Sequence, residues 1–205
     1  MSKDAGYTFD RIDNGLPQGL YISRVQASAH SEGRVFVTLN GCRSDHFRPY
    51  VFVSDDYGKS WKSLAAQLPY EPVNVIREDP SNPDILFIGT DNGLYTSLDR
   101  GQHWMTMNGK LPRVAIHDLV IQEREEEIVL GTHGRSIYIA SLAEIHKLND
   151  SIINAGVKII QKNDLNFSES WGKKSDEFSK PHEPASDMCY LTTSKGITSV
   201  VLKSK

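Results

Sequence analysis

Apolar and polar residues alternate in short runs from residue 22 to residue 142, and each run ends in Gly, Pro, Asn, Asp or a charged turn. Runs of this length, rich in β-branched and aromatic residues and bounded by turn formers, read as strands. ISRVQAS (22–28), RVFVTLN (34–40), YVFVSDD (50–56) and SWKSLA (60–65) form a first set of four. VNVIRED (73–79), ILFIGTD (85–91), LYTSLD (94–99) and HWMTMN (103–108) form a second. VAIHDLVIQ (114–122), EIVLGTH (127–133) and SIYIASL (136–142) begin a third, with EREEE at 123–127 as a solvated hairpin turn. Beyond them AEIHKLND (143–150) reads as a short helix or turn and GVKIIQKN (156–163) as a strand. Residues 164–187 are polar without a clear period, and CYLTTS (189–194) with ITSVVLKS (197–204) reads as a hairpin around Lys-Gly.

The strand sets recur with a fixed punctuation. SKDAGYTF (2–9), SDDYGKSW (54–61) and SLDRGQHW (97–104) share Ser, Asp, Gly and a closing aromatic at the same offsets. The aspartates Asp4, Asp56 and Asp99 lie 52 and 43 residues apart. Leu16-Pro17, Leu68-Pro69 and Leu111-Pro112 follow them at one constant distance. A period of about 40–50 residues filled by four strands is that of a propeller blade. The third set keeps Gly-Thr in GTHGRSIY, matching GTDNGLY, but carries no aspartate box.

In this register the box falls on the turn between the third and fourth strands. An Asp side chain there accepts backbone N–H bonds that the turn leaves open, Gly supplies positive φ, and the aromatic buries against a sheet. A catalytic group is needed once and a turn lock once per blade. Three copies therefore assign Asp4, Gly6, Phe9, Asp56, Gly58, Trp61, Asp99, Gly101 and Trp104 a structural role. Asp55 is not repeated and reads as a solvated turn residue.

A net charge of −3 does not suggest a nucleic-acid or anionic-membrane partner, and no apolar run is long enough to span a bilayer. The N-terminal residues lack a secretory signal. Cys42 and Cys189, far apart, read as free thiols. No His-Glu-x-x-His, Walker loop, Gly-x-Ser-x-Gly or Cys/His cluster occurs, so neither cofactor nor metal is expected.

The motif Ser-x-Asp-x-Gly-x-Thr-Trp resembles the Asp-box, or BNR repeat, of sialidases, xyloglucan-cleaving hydrolases, sortilin-type receptors and photosystem assembly factors. The wording from YVFVSDDYGKSW to GTHGRSIYIA is similar to bacterial exported proteins of the BNR-repeat glycosyl hydrolase-like and sortilin (Vps10)-like kind. His103 in the place of Ser or Thr, and Phe9 in that of Trp, are its two departures. The resemblance implies an all-β chain: a partial β-propeller of Asp-box blades over 1–145, then a helix, strand and polar linker over 146–188. A hairpin at 189–205 would begin a C-terminal β-sandwich. It also implies a longer protein that is secreted, periplasmic or on the cell surface, of which these would be the last blades. The strand count likewise leaves the first blade with only its end, at 1–12, so the missing blades are an expected partner.

If the boxes mark one face, ligand contacts belong to the other, on loops between second and third strands and between blades. There the chain offers Arg43, Asp45, His46 and Arg48 in GCRSDHFRPY (41–50), Asp91 and Asn92 in the second unit, and His133 and Arg135 in the third. Arg43, His46, Arg48, Asn92, His133 and Arg135 are the ligand-binding candidates. Asp45 and Asp91 are the only pair put forward as catalytic acids, since a glycosidase needs two carboxylates about 5–10 Å apart. An ion-paired or solvated loop set explains the same residues. His117-Asp118 on an inner strand would line the central channel. The expected function is a scaffold that binds a peptide, protein or glycan; a glycoside hydrolase with its acids on other blades, or an assembly factor, are the alternatives.

Overall fold

The computed structural model describes residues 1–107, 111–148, 157–162, 168–182 and 188–192. They fall into two compact units, Met1–Ser141 and Leu142–Lys205. In the first, β1 (Tyr21–Ala27), β2 (Val35–Gly41), β3 (His46–Ser54) and β4 (Lys62–Ser63) pair antiparallel in chain order as blade I. Blade II repeats the meander with β5 (Val73–Glu78), β6 (Leu86–Thr90), β7 (Leu94–Ser97) and β8 (Met105–Thr106). Blade III comprises β9 (Ile116–Gln122), β10 (Glu127–Thr132) and β11 (Ile137–Ser141), with β11 at the edge among the described residues. The chain is all-β, and this unit is a partial β-propeller.

Alternation sorts each blade into two faces. Phe36, Val51 and Leu64 of blade I meet Val73, Ile76, Leu86 and Ile88 of blade II in one core. The other face of blade I turns Val37 and Leu39 toward Leu16, with Tyr50, Phe52 and Trp61 packed alongside. Each fully buried side chain of this size contributes about 1.5–3 kcal/mol. Blades II and III pack tightly at Gly89, where a Cβ would lie 2.7 Å from Ile116 Cγ2.

Three turns, at Ser2–Phe9, Ser54–Trp61 and Ser97–Trp104, have one geometry. The serine hydroxyl donates to the aspartate Oδ1 at 2.8, 2.7 and 2.8 Å and accepts from the glycine N–H at 2.7, 2.8 and 2.8 Å. The aspartate also accepts the N–H four residues on, from Thr8, Ser60 and His103, at 2.8, 2.9 and 2.9 Å. Thr8 and Ser60 hydroxyls donate to its second oxygen at 2.6 Å, and His103 Nδ1 takes that place at 2.5 Å. The residue before each glycine, Ala5, Tyr57 or Arg100, holds φ near 60° (56°, 62° and 60°), and the glycines lie at 95°, 82° and 82°. Hydrogen bonds from Thr8 hold the Asp4 carboxyl down at about 2, and those from Ser60 lower Asp56. Burial opposes the Asp99 charge, but the bonds from His103 outweigh it and its pKa is lowered.

The turns latch blade to blade. Trp104 Nε1 donates to Leu64 O at 2.8 Å, and Trp61 Nε1 donates to Ile12 O at 2.9 Å. Residues 9–12 form no strand; Ile12 sits against Gly58 as Leu64 sits against Gly101. Asp55 is not merely solvated, since it accepts from Arg34 Nε at 2.6 Å, and Arg34 also reaches the buried Glu78 at 3.5 Å.

In the second unit α1 (Ala143–His146) is a single turn, and β12 (Val157–Lys162) pairs antiparallel with β13 (Met188–Thr192). β13 is the first strand of the expected C-terminal hairpin. Its partner is the strand expected at 156–163, and the second hairpin strand, at 197–204, lies outside the described residues. Turns occupy 168–182, with Trp171 bridged to His182.

Candidate functional site

The expected loop at 41–50 is shorter than sequence suggested. β3 starts at His46 and Cys42–Ser44 forms one 3-10 turn, closed by Asp45 at φ 55°. The hairpin tip needs Gly41, because a Cβ there would lie 2.6 Å from His46 Cβ. Asn40, at the end of β2, accepts from Cys42 N–H at 2.9 Å and donates to Asn74 Oδ1 at 2.8 Å. Asn74 in turn donates to Asp91 Oδ1 at 2.8 Å, and Cys42 Sγ lies 3.7 Å from Asp91 Oδ2. Burial, then the Asp91 charge, pushes the Cys42 thiol pKa up. This chain of polar bonds crosses from blade I to blade II.

The chain forms one wall of a cavity of about 680 Å³ at the end of the blades opposite the three box turns. Tyr21, with the Arg43 guanidinium 5.3 Å from its ring centroid, forms a second wall. Blade III closes the third with His117 and His133, whose ring centroids are 5.3 Å apart. Among the described residues no three His, Cys, Asp or Glu side chains are grouped to hold a metal ion.

Of the residues singled out from sequence, the cavity brings together Arg43, Asp91 and His133, with His117. Asp45 and Arg48 are exposed and do not line it, nor does Arg135 in the β10–β11 turn. His46 pairs instead with Tyr50 on the hairpin arm, Tyr50 OH to Nδ1 at 3.2 Å. Asn92 donates to Glu71, which also accepts from Tyr95 OH at 2.7 Å, an internal lock of blade II. Burial and this bond raise the Tyr95 pKa to about 12. Tyr21, Ser23, Asn40 and Asn74 went unnoticed in the sequence. The repeat itself carried the signal, because Asn40, Asp91 and His133 occupy the same last position of RVFVTLN, ILFIGTD and EIVLGTH.

Nearer the middle of the inner strands Arg24 donates to Asp118 at 2.6 Å, and Arg77 approaches it at 3.5 Å. Arg77 also bonds Leu119 O at 2.8 Å and Gln26 Oε1. Burial, then the Arg24 charge, lowers the Arg77 pKa, and Asp118 partly offsets both. Asp118 of the His117-Asp118 pair is thus an ionic tie among three blades.

The fold is a partial β-propeller with a polar cavity at one end of its blades. Among solved structures the chain is similar to a Niastella koreensis GH74 enzyme, at 18% identity and TM-score 0.46 over 58% of this chain and 21% of that one. It is also similar to the GH74 xyloglucanase of Xanthomonas campestris, at 15% identity and TM-score 0.47 over 59% of this chain and 21% of that one. An ancestral GH74 enzyme matches at 19% identity and TM-score 0.47, over 56% of this chain and 14% of that one. The matched region thus spans about a fifth or less of those proteins' length. No family model matches the chain. No curated protein matches it. No helix among the described residues is long and apolar enough to cross a membrane.

Proposed function

We propose that these blades belong to an Asp-box propeller of an exported, BNR-repeat or sortilin-like protein, and that they bind a polar ligand without turning it over. The ligand is a peptide, a protein segment or a glycan, held in the cavity between Tyr21, Asn74 and His133. The carrying observation is that, among the described residues, Asp91 is the only carboxylate lining the cavity. Its oxygens already accept from Asn74 and face Cys42. Glycoside hydrolysis needs a second carboxylate across the scissile bond, and Asp45 does not line the cavity. An exposed tyrosine beside amide groups instead suits stacking plus hydrogen bonding.

The presence of Asp91 in the cavity favours one second reading: a glycoside hydrolase whose other acid lies outside these residues. A glycan array and a peptide library, each paired with a hydrolysis screen, separate the two. Binding without turnover, lost in Tyr21→Ala and Asn74→Ala, is the expected result. Turnover that Asp91→Asn abolishes in a folded protein supports the hydrolase instead. An absence of binding to both libraries refutes the first reading.

A further inference from the structure

The three blades build the cavity by one rule. Each inner strand carries one extra residue where it pairs with the second strand. In blade I Ile22 pairs with Leu39 and Arg24 with Thr38, so Ser23 is unmatched. In blade II Val73 pairs with Thr90 and Val75 with Gly89, which leaves Asn74 unmatched. In blade III Ile116 pairs with Thr132 and Asp118 with Gly131, which leaves His117 unmatched. A residue inserted in this way re-aims its side chain out of the regular alternation. Ser23, Asn74 and His117 all line the cavity, whereas Ile22, Val73 and Ile116 before them do not. The second strands supply the matching half. Asn40, Asp91 and His133 each follow the residue paired at the bulge, and they line the cavity too.

Each blade thus presents one pair of side chains, and the three pairs differ in charge. Ser23 and Asn40 of blade I are neutral. In blade II Asp91 accepts from Asn74 and faces the Cys42 thiol. A carboxylate offers about four lone-pair sites, so Asp91 keeps acceptor capacity for a ligand. In blade III the rings of His117 and His133 lie against each other, and among the described residues no carboxylate pairs with either. Arg43 likewise meets only the Tyr21 ring, whereas Arg24, Arg34 and Arg77 each pair with a carboxylate. A ligand matching these walls has donors toward Asp91 and an oxyanion toward the imidazoles and Arg43. It also has an apolar face for Tyr21, which is 60% exposed. An anion set against Asp91 would be repelled, while hydroxyls there would donate. A pyranose with an acidic substituent carries hydroxyls, C–H face and oxyanion on one ring, where a peptide spreads them over several residues.

We propose that the bulge residues and their second-strand partners set the specificity of the cavity, and that they select an acidic oligosaccharide. Its carboxylate or sulfate ester lies at His117 and His133, and its hydroxyls lie at Asn74 and Asp91. This rests on the reading of the cavity as a ligand site.

Isothermal titration of the 205-residue chain tests it. The probes are tetramers of galacturonate, mannuronate and sulfated galactose, each beside its methyl-esterified or desulfated form. At least one acidic form is expected to bind about tenfold or more tighter than its neutral form. His117→Gln and His133→Gln should each erase that preference, while Asn74→Ala weakens both forms alike. Arg135→Gln, outside the cavity, should change neither. Deleting His117 closes the bulge and keeps the flanking pairs, and it should match His117→Gln. There is room for this at Gly131, where a Cβ would meet only Asp118, at 3.5 and 3.8 Å. If the deletion unfolds the chain, the point variants carry the test. No preference for any acidic form, or one that survives both histidine variants, overturns the proposal. Binding of neutral glycans or of peptides that Tyr21→Ala abolishes, with no such preference, overturns it and leaves the ligand-site reading standing. An absence of binding to glycans and peptides alike overturns both.

Discussion

Replacing Ser97 by alanine tests whether the box turns act through burial. The Ser97 hydroxyl is fully buried and accepts from Gly101 N–H at 2.8 Å and Asp99 N–H at 3.2 Å. It donates to Asp99 Oδ1 at 2.8 Å. Ser97→Ala leaves the Gly101 N–H buried with no acceptor, because Leu64 and Trp104 close the space around it. An unsatisfied buried donor costs about 1–3 kcal/mol. For a unit of this size that lowers Tm by roughly 2–4 °C per kcal/mol. Ser2→Ala removes the same bonds from an exposed turn, where nothing lies within 4 Å of a Cβ on Gly6. Water replaces the lost acceptor there, and the change stays within about 0.5 kcal/mol. Ser54→Ala, with Ser54 at 2% exposure, belongs with Ser97. Urea unfolding followed by tryptophan fluorescence reads all three as midpoint shifts at constant m. Equal losses at Ser2 and Ser97, or none at Ser97, would refute the argument from burial.

Gly89→Ala forces a Cβ to 2.7 Å from Ile116 and is expected to destabilise by about 1–3 kcal/mol, whereas Gly131→Ala leaves the unfolding of the dilute chain unchanged; the same urea titration checks both. Trp104→Phe removes the bond to Leu64 O and should lower stability by about 1 kcal/mol, read as a calorimetric Tm shift. Asp4, Asp56 and Asp99 have pKa values lowered by their turns, so their contribution is present above the ordinary value of 3.8 and is lost as pH falls below it. Urea midpoints between pH 5 and pH 2 should therefore fall, and Asp56→Asn with Asp99→Asn should flatten that limb.

Much of the blade architecture is legible in the sequence because its cause is local. Alternation in VNVIRED and ILFIGTD sets which side chains face the neighbouring blade, and a tight turn needs its own Asp and Gly within a few residues. The fourth strands are shorter than their apolar runs suggest, since only Lys62–Ser63 and Met105–Thr106 pair with the strand before. The β2–β3 arm was hidden because HFRPY mixes charge and proline, yet it pairs as far as Gly41 with His46. The site was legible only in part for a different reason. Asn40, Asn74 and Asp91 lie on different strands of two blades, and only packing makes them one chain of bonds. The Asp55–Arg34 tie likewise joins residues on separate strands, with no local pattern to announce it.

The tryptophan latches also have a direction. Trp61 bonds backward to Ile12 and Trp104 backward to Leu64. Each of these two tryptophans thus fastens its blade to a segment made before it. A chain emerging from the ribosome finds every latch site already synthesised when its tryptophan arrives, so ordering can advance from one blade to the next. A latch that joins only neighbouring segments also localises damage. A lost latch loosens one seam and leaves the next to hold.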